Sequence, residues 1–202
     1  MMQNRRRMLM NMASALPPKD TLENMSWADI ALVSAAGKAS EYWALGDTKT
    51  STLGSTILNS TTVIAAIAGF GYDDLADGSG KAGISFIMTH AFCIGRALHT
   101  LNDNTVSWQG TQLRADLIST YLPIFNAALG AGIIKPITKN TGRGYNASGL
   151  LATTDSLWLP SYFEVWGAEP SAGAAGEYPS GVTGSYPIFT DNVSHRRVNC
   201  ST

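Results

Sequence analysis

An apolar run that leads into a Gly-x-Gly turn is the feature that most limits how this chain can fold. Residues 63–68 read VIAAIA, and GFGYDD follows at residues 69–74. A short run of small and β-branched apolar residues bounded by turn formers predicts a buried strand. A dinucleotide-binding fingerprint also begins with a buried strand that ends in Gly-x-Gly, so the residues after the turn decide between a cofactor site and a plain loop.

The residues after this turn exclude a dinucleotide cofactor. The fingerprint needs a third glycine and a helix, because the pyrophosphate binds bare N–H groups at the helix N-terminus. Asp74 stands at the third glycine position with Asp73 beside it, and two carboxylates would repel a diphosphate. Residues 75–83 (LADGSGKAG) are turn formers that match neither a helix nor a P-loop. We therefore predict no cofactor and interpret residues 70–82 as an acidic, exposed loop.

This loop supplies most of the candidate ligand-binding residues. Asp73 and Asp77 match the first and fifth positions of an EF-hand loop, but Leu75 and Ile84 replace essential oxygen ligands, so we predict no metal site. A looser calcium loop and a solvated turn held by Asx hydrogen bonds remain open as alternatives. The full candidate set is Tyr72, Asp73, Asp74 and Asp77, with Tyr145 from a second loop at residues 140–149.

The composition gives the protein as a whole no charge that would attract nucleic acid or a membrane, and whether the basic arm contacts protein or nucleic acid stays open. Charged residues make up only 14% of the chain, whereas about 25% is usual in soluble proteins. The net charge of −1 provides no field that would attract nucleic acid or an anionic membrane. No apolar run approaches the roughly 20 residues that span a bilayer. A surface that owes its polarity to hydroxyls and amides is typical of extracellular and virion proteins.

Catalytic motifs are missing from the sequence. It contains no Gly-x-Ser-x-Gly, His-Glu-x-x-His or Ser-x-x-Lys. The spacing of His90, Cys93 and His99 is unlike a zinc motif, and their segment is otherwise apolar, which favours packing. We predict that the protein is not an enzyme and assign no catalytic residue.

The first 18 residues form a separate basic arm in our interpretation. The arm would end at Pro17-Pro18, and residues 19–202 would form one domain with a flexible C-terminal part. A disordered terminus and an arm that docks on a partner are equally compatible with this pattern. The residues that would make the docking contacts are Arg5, Arg6, Arg7, Met8 and Leu9.

Local patterns predict an α+β fold with a mixed small sheet and two or three short helices. Ser26 and Gly37 bracket a helix, and a second helical pattern covers residues 108–129, where Pro123 should end or kink it. The five tryptophans lie in separate elements, so we expect several to meet in one core; an exposed sugar-binding platform is the alternative. Strands are predicted at residues 42–45, 56–68, 83–88 and 133–139, and surface loops at residues 140–149 and 168–187.

Four segments together resemble an uncharacterised domain family that is common in gut Firmicutes and their phages. They are YWALGDTKT, IAGFGYDD, WQGTQLRADLISTYLPIF and TTDSLWLPSYFEVWG, in that order. In that family a tryptophan precedes a Ser/Thr, an arginine and a helix, and a later Asp-Ser/Lys-Leu segment ends in Glu-Val-x-Gly. The family is distantly similar to the formylglycine-generating-enzyme and C-type-lectin group, so the resemblance implies a C-type-lectin-like fold.

The resemblance implies a bacteriophage virion protein that serves in capsid decoration or as a head or tail-fibre attachment component. The arm would bind other virion proteins, and the loops would face outward towards a host-surface glycan. The closing strands of the family are missing after Arg197, so either the fold is shortened or another chain completes it, which implies a homo-oligomer. The alternatives are a bacterial surface or secreted carbohydrate-binding module and a formylglycine-generating-type enzyme, for which Cys93 is a poor nucleophile.

Overall fold

A computed structural model of the chain describes residues 16–54, 61–90, 97–99, 106–143, 149–167 and 184–191. These residues form two antiparallel sheets and several short helices, which confirms the predicted α+β class. The strands are β1 (Thr48–Thr52), β2 (Thr62–Gly69), β3 (Ser85–Met88), β4 (Ile137–Gly142) and β5 (Leu150–Asp155). The α-helices are α1 (Trp27–Ala35), α2 (Ala39–Tyr42), α3 (Gln112–Asp116), α4 (Leu122–Leu129), α5 (Tyr162–Trp166) and α6 (Pro187–Asp191).

The apolar run is the central strand of the larger sheet. The strand order is β1-β2-β3, and β2 pairs antiparallel with both neighbours. Residues 65–68 of β2 are buried on both faces of the sheet. The prediction of a buried strand at this run is confirmed for β2 from Thr62 onwards, and residues 56–60 of the predicted strand lie outside the described residues. Strands β4 and β5 form a separate hairpin.

Three apolar clusters cover the faces of this sheet. The first is built around Ile67 and the buried residues of α1 and α2. The second joins Val63 to the helical segment between residues 112 and 129. In the third, Ala66 and Ala68 on the opposite face of β2 contact the C-terminal residues Tyr186, Ile188 and Phe189. Small side chains on β2 therefore let the last described segment lie directly against the sheet.

The tryptophans are distributed over these clusters rather than meeting in one core. Trp43 is buried in the first cluster, and Trp27 packs against it. Trp108 packs against the second cluster and Trp158 against the third. Trp166 at the end of α5 is 44% exposed. The indole rings thus help to stabilise separate parts of the sheet, and the prediction of a single shared core is corrected.

The helical pattern at residues 108–129 forms two short α-helices, α3 and α4, rather than one, as Pro123 predicted. Residues Leu117–Tyr121 between them form one π-helical turn, in which the Leu122 N–H donates to the Leu117 carbonyl five residues earlier. Pro123 then lies in the first turn of α4, where a missing N–H leaves no hydrogen bond unmade. The α-helix is thus interrupted by a widened turn directly before the proline.

Several predicted boundaries are wrong, and each error has a local cause. Residues 42–45 are not a strand: Tyr42 ends α2, and the Trp43 indole N–H donates to the Asp20 carbonyl at 3.1 Å. Gly130 and Gly132 adopt positive φ, which delays the strand predicted at residue 133 to Ile137. Strand β5 and helix α6 were not anticipated. The segment predicted as a surface loop up to residue 187 contains the buried Tyr186.

We predict that Gly83→Ala destabilises the domain, because Gly83 passes against the end of α1. A Cβ atom at Gly83 would overlap the backbone carbonyl and hydroxyl oxygens of Ser34. Relieving such an overlap should lower the free energy of unfolding by about 1–3 kcal/mol, measured by urea denaturation. Gly54→Ala is the control, since a Cβ there meets nothing within 4 Å. Equal stability of the two variants would contradict the close approach.

Candidate binding loop and its buried anchors

Asp73 is the buried anchor of the loop between β2 and β3. The Ser85 hydroxyl donates to one carboxylate oxygen, and the Tyr186 hydroxyl lies 3.0 and 3.1 Å from the two oxygens. Burial raises the pKa of Asp73, and the hydrogen bonds from Ser85 and Tyr186 oppose that rise. The Asp73 carboxylate is therefore buried and bonded to other parts of the domain, and the prediction that Asp73 lies exposed on the loop is wrong.

Tyr186 connects this anchor to the C-terminal part of the chain. Its backbone N–H donates to the Glu164 carbonyl at 2.8 Å, and its ring lies 4.3 Å from the ring of Tyr72. Burial raises the pKa of the Tyr186 hydroxyl, and the negative charges of Glu164 and Asp73 raise it further. The Tyr72 hydroxyl donates to the Gly184 carbonyl. Tyr72 is thus partly buried and bonded internally.

The base of the loop is held by backbone hydrogen bonds to the β4 region. Leu75 forms an antiparallel bridge with Ile137. The Ala76 N–H donates to the Pro136 carbonyl at 3.0 Å, and the Thr138 N–H donates to the Asp74 carbonyl at 2.8 Å. These bonds join the loop to the second sheet, so its base has a fixed position.

The tip of the loop is an exposed polar turn at residues 77–81. Asp77 accepts a hydrogen bond from the Ser79 N–H at 2.9 Å, and hydrogen bonds from Ser79 hold the pKa of Asp77 below its usual value. Lys81 forms an ion pair with Asp74 at 2.8 Å. Gly78 adopts a φ of 74°, which is a left-handed conformation that favours glycine. Asp74 and Asp77 are therefore the predicted site residues that do remain on the surface.

A second buried anchor joins β4 to helix α5. Lys139 on β4 forms a buried ion pair with Glu164 on α5, and the Lys139 ammonium lies 5.6 Å from the Trp158 ring centroid. Glu164 also accepts from the Ser161 N–H at 2.8 Å, while Ser161 caps the helix in return. Such a capping box satisfies free N–H groups at the helix start. One carboxylate thus caps α5 and binds it to β4.

A third buried anchor centres on Asp155 at the end of β5. Its carboxylate accepts from the Arg114 Nε at 2.6 Å and from the Trp108 indole N–H at 3.0 Å. The Thr153 hydroxyl donates to the same carboxylate, and the Arg114 Nη2 donates to the Thr154 carbonyl. Asp155 is 1% exposed, so the helical segment and the hairpin are joined by a desolvated ion pair.

Several residues of the four segments quoted for the expected resemblance make these internal contacts. Trp108 and Arg114 both bind Asp155, and between them Thr111 caps α3 by accepting from the Arg114 N–H at 3.2 Å. Glu164 makes the second anchor, and Gly167 ends α5 with a φ of 69°. The Trp, Thr, Arg, Asp and Glu-Val-x-Gly pattern therefore specifies internal contacts. The sequence showed the motif but not which of its residues meet.

The remaining candidates are distributed as follows. Tyr145, the arm residues Arg5 to Leu9 and Cys93 lie outside the described residues. His90 is exposed, with its Nδ1 2.8 Å from the Thr89 hydroxyl. In the described part of the chain, no group of three His, Cys, Asp or Glu side chains is placed to hold a metal ion. None of the helices in the described ranges is long and apolar enough to cross a membrane.

We predict that the Arg114–Asp155 pair is strongly coupled. Asp155→Ala leaves a partly buried guanidinium and the Trp108 indole N–H without their carboxylate, and should lower the free energy of unfolding by about 2–4 kcal/mol. A double-mutant cycle with Arg114→Ala, followed by chemical denaturation, should show strong non-additivity. The control cycle uses Lys38→Ala and Glu41→Ala, an ion pair at 2.6 Å with about half of each side chain exposed, and should show no measurable coupling. Additive effects at Arg114 and Asp155 would refute the anchor.

We further predict that Asp73 makes the domain less stable as the pH rises. Its pKa is higher in the folded state than in the unfolded chain, so its stabilising effect is complete below the unfolded value near 3.9 and is lost as the pH passes the folded value. The difference in unfolding free energy between wild type and Asp73→Asn should therefore fall with rising pH. Asp77→Asn should give the opposite slope, since the folded pKa of Asp77 is lowered. A flat difference for Asp73 would contradict its burial.

Comparison of the chain with protein-family models, with curated proteins and with solved structures found no match. Function has to be argued from the loop, its anchors and the chemistry of the surface that they support.

Proposed function

We propose that the protein is a virion component of a bacteriophage, in capsid decoration or in a head or tail-fibre attachment structure, with a lectin-like domain that binds a host-surface glycan. In this proposal the exposed turn at residues 77–81 belongs to the binding surface. The basic arm at residues 1–18 binds other virion proteins. The protein acts by binding rather than by catalysis.

The single observation that carries the proposal is the contrast between the base and the tip of the β2–β3 loop. The base is fixed by the buried carboxylate of Asp73 and by backbone bonds to residues 136–138. The tip exposes Asp77, Ser79 and Lys81. A polar turn whose shape is set before binding loses little conformational entropy when a ligand binds, and binding surfaces are commonly built from loops on a rigid scaffold.

The use of the buried charges supports a scaffold role. The buried charged side chains in the described ranges each bond to another part of the domain. Lys49, for example, donates to the Glu23 and Met25 carbonyls at 3.0 and 2.7 Å, which ties the segment before α1 to β1. Asp73, Lys139, Asp155 and Glu164 form the three anchors. Because these buried charges bond within the domain, they stabilise the fold, and a ligand would be recognised by the surface loops.

The point where the arm would leave the domain is also set by hydrogen bonds. The Pro17 carbonyl accepts from the Tyr42 hydroxyl at 2.7 Å, and the Lys19 ammonium donates to the Glu41 carbonyl at 2.6 Å. Residues 17–19 therefore lie beside α2. An arm that begins at a fixed point can bind a particle while the domain keeps one orientation relative to that point.

We predict that the exposed turn contributes directly to glycan binding. The variant Asp74→Ala/Lys81→Ala removes an exposed ion pair from the loop without changing net charge. Binding of the full chain to a glycan array or to host cells should weaken at least about tenfold, because the turn loses polar groups that contact the ligand. The matched control, Lys38→Ala/Glu41→Ala, removes a similar exposed pair from α2 and should bind like wild type.

Two results would overturn the proposal. Equal binding by wild type and the loop variant on every glycan that the protein recognises would remove the turn from the binding surface. Mass spectrometry of purified phage particles and of cell-envelope fractions tests the location. Recovery from the envelope or the medium instead of the particles would favour a bacterial carbohydrate-binding module over a virion protein.

A further inference from the structure

The outer edge of β3 carries peptide groups that have no partner among the described residues. The Thr89 N–H donates to the Ile64 carbonyl, which places the peptide groups of Ile87 on the side of β2 and those of Phe86 and Met88 on the outer side. Within the described ranges, no backbone hydrogen bond reaches Phe86 or Met88 on that side. An edge of this kind is a template for pairing with another strand.

The outer edge of β1 is protected by an acidic side chain. Thr50 is the middle residue of that edge, and its N–H donates to the Glu23 carboxylate at 2.7 Å. Lys49 beside it is buried and bonded to the segment before α1. Charged groups at a strand edge are a common means by which proteins prevent edge-to-edge pairing.

The hairpin of β4 and β5 is protected in a similar way. On β5 the outward carbonyl of Thr154 accepts from Arg114 at 3.1 Å, and that of Leu150 accepts from Arg143 at 3.3 Å. Residues 74–76 of the β2–β3 loop bond to residues 136–138, at the start of the outer edge of β4. In the described part of the chain, β3 is thus the strand whose outer edge has neither a charged cap nor a backbone partner at any of its residues.

The charge pattern of β3 favours a second copy of the same chain as its partner. Residues 83–90 read GISFIMTH and contain no Asp, Glu, Lys or Arg. When two identical strands pair across a two-fold axis, a charge close to the axis lies near its own copy and is repelled. An uncharged edge avoids this repulsion, whereas the Glu23, Arg114 and Arg143 caps oppose self-pairing at the other strands.

We propose that two copies of the protein associate through antiparallel pairing of their β3 strands, so that the two three-stranded sheets become one continuous sheet. With Ile87 on the two-fold axis, Phe86 of one copy lies opposite Met88 of the other. Each outward N–H then donates to an outward carbonyl of the partner, as in any antiparallel ladder. The inference does not depend on glycan binding, so either proposal can fail alone.

Amide hydrogen exchange followed by NMR, with light scattering on the same samples of the full chain, tests the pairing. The Ile87 amide should exchange slowly at every concentration, because it bonds to β2. The Phe86 and Met88 amides should exchange quickly in the monomer and slowly once the dimer forms. A chain that stays monomeric up to about 1 mM overturns the proposal. So does protection of both amides in the monomer, or a dimer in which they still exchange quickly.

Proline substitution provides the second arm of the test. Met88→Pro removes an outward N–H that β2 does not use, so an edge strand can accept it. The dimer dissociation constant should rise at least about tenfold, whereas Met88→Leu, which keeps the N–H, should leave it unchanged. Thr52→Pro removes an outward N–H from the protected β1 edge and should also leave the dimer dissociation constant unchanged. An unchanged dissociation constant in a folded Met88→Pro variant, verified by slow Ile87 exchange, overturns the proposal.

Discussion

The buried carboxylate of Asp73 is the contact on which the arrangement of the domain depends. It receives hydrogen bonds from Ser85 at the start of β3 and from Tyr186 near the end of the described chain. One side chain thus fixes the exit from β2, the entry to β3 and the segment that covers Ala66 and Ala68. Burying a carboxylate is costly unless its oxygens are hydrogen-bonded, and here three partner distances show that they are. The same contact gives the exposed turn at residues 77–81 a fixed base.

The other buried charges perform the same task between different elements. Arg114 and Asp155 join the helical segment to β5, and Lys139 and Glu164 join β4 to α5. Replacing a buried ion pair with apolar residues often costs little stability, so such pairs are better understood as specifying which segments meet. This explains why Arg114, Asp155 and Glu164 lie far apart along the sequence. Each of them connects segments that are themselves far apart in the chain.

Local signals in the sequence predicted what depends on local physics. The strand at residues 63–68 follows from its apolar run, and α1 follows from the Ser26 cap and from Gly37 with a φ of 68°. Asp73 and Asp74 look equivalent in the sequence, yet Asp73 is buried and Asp74 is exposed. The difference comes from the contact between Asp73 and Tyr186, which lie 113 residues apart along the chain. No periodicity in a single sequence reports such a pairing. The strand predicted at residues 42–45 is wrong for a related reason, because Tyr42 ends α2 and the Trp43 indole N–H donates to the distant Asp20 carbonyl.

The open edge of β3 and the exposed turn belong to the same hairpin, and this connects association to recognition. Residues 70–84 leave β2, form the turn and return as β3, so pairing of two β3 strands would also fix the two turns relative to each other. If the turn binds a glycan as proposed, one polar turn makes few contacts. Two turns on one continuous sheet would engage a repeating surface together, and the second contact would form at a high effective concentration. The charged caps at β1 and β5 and the uncharged edge of β3 therefore link the proposed pairing of β3 strands to the proposed binding turn.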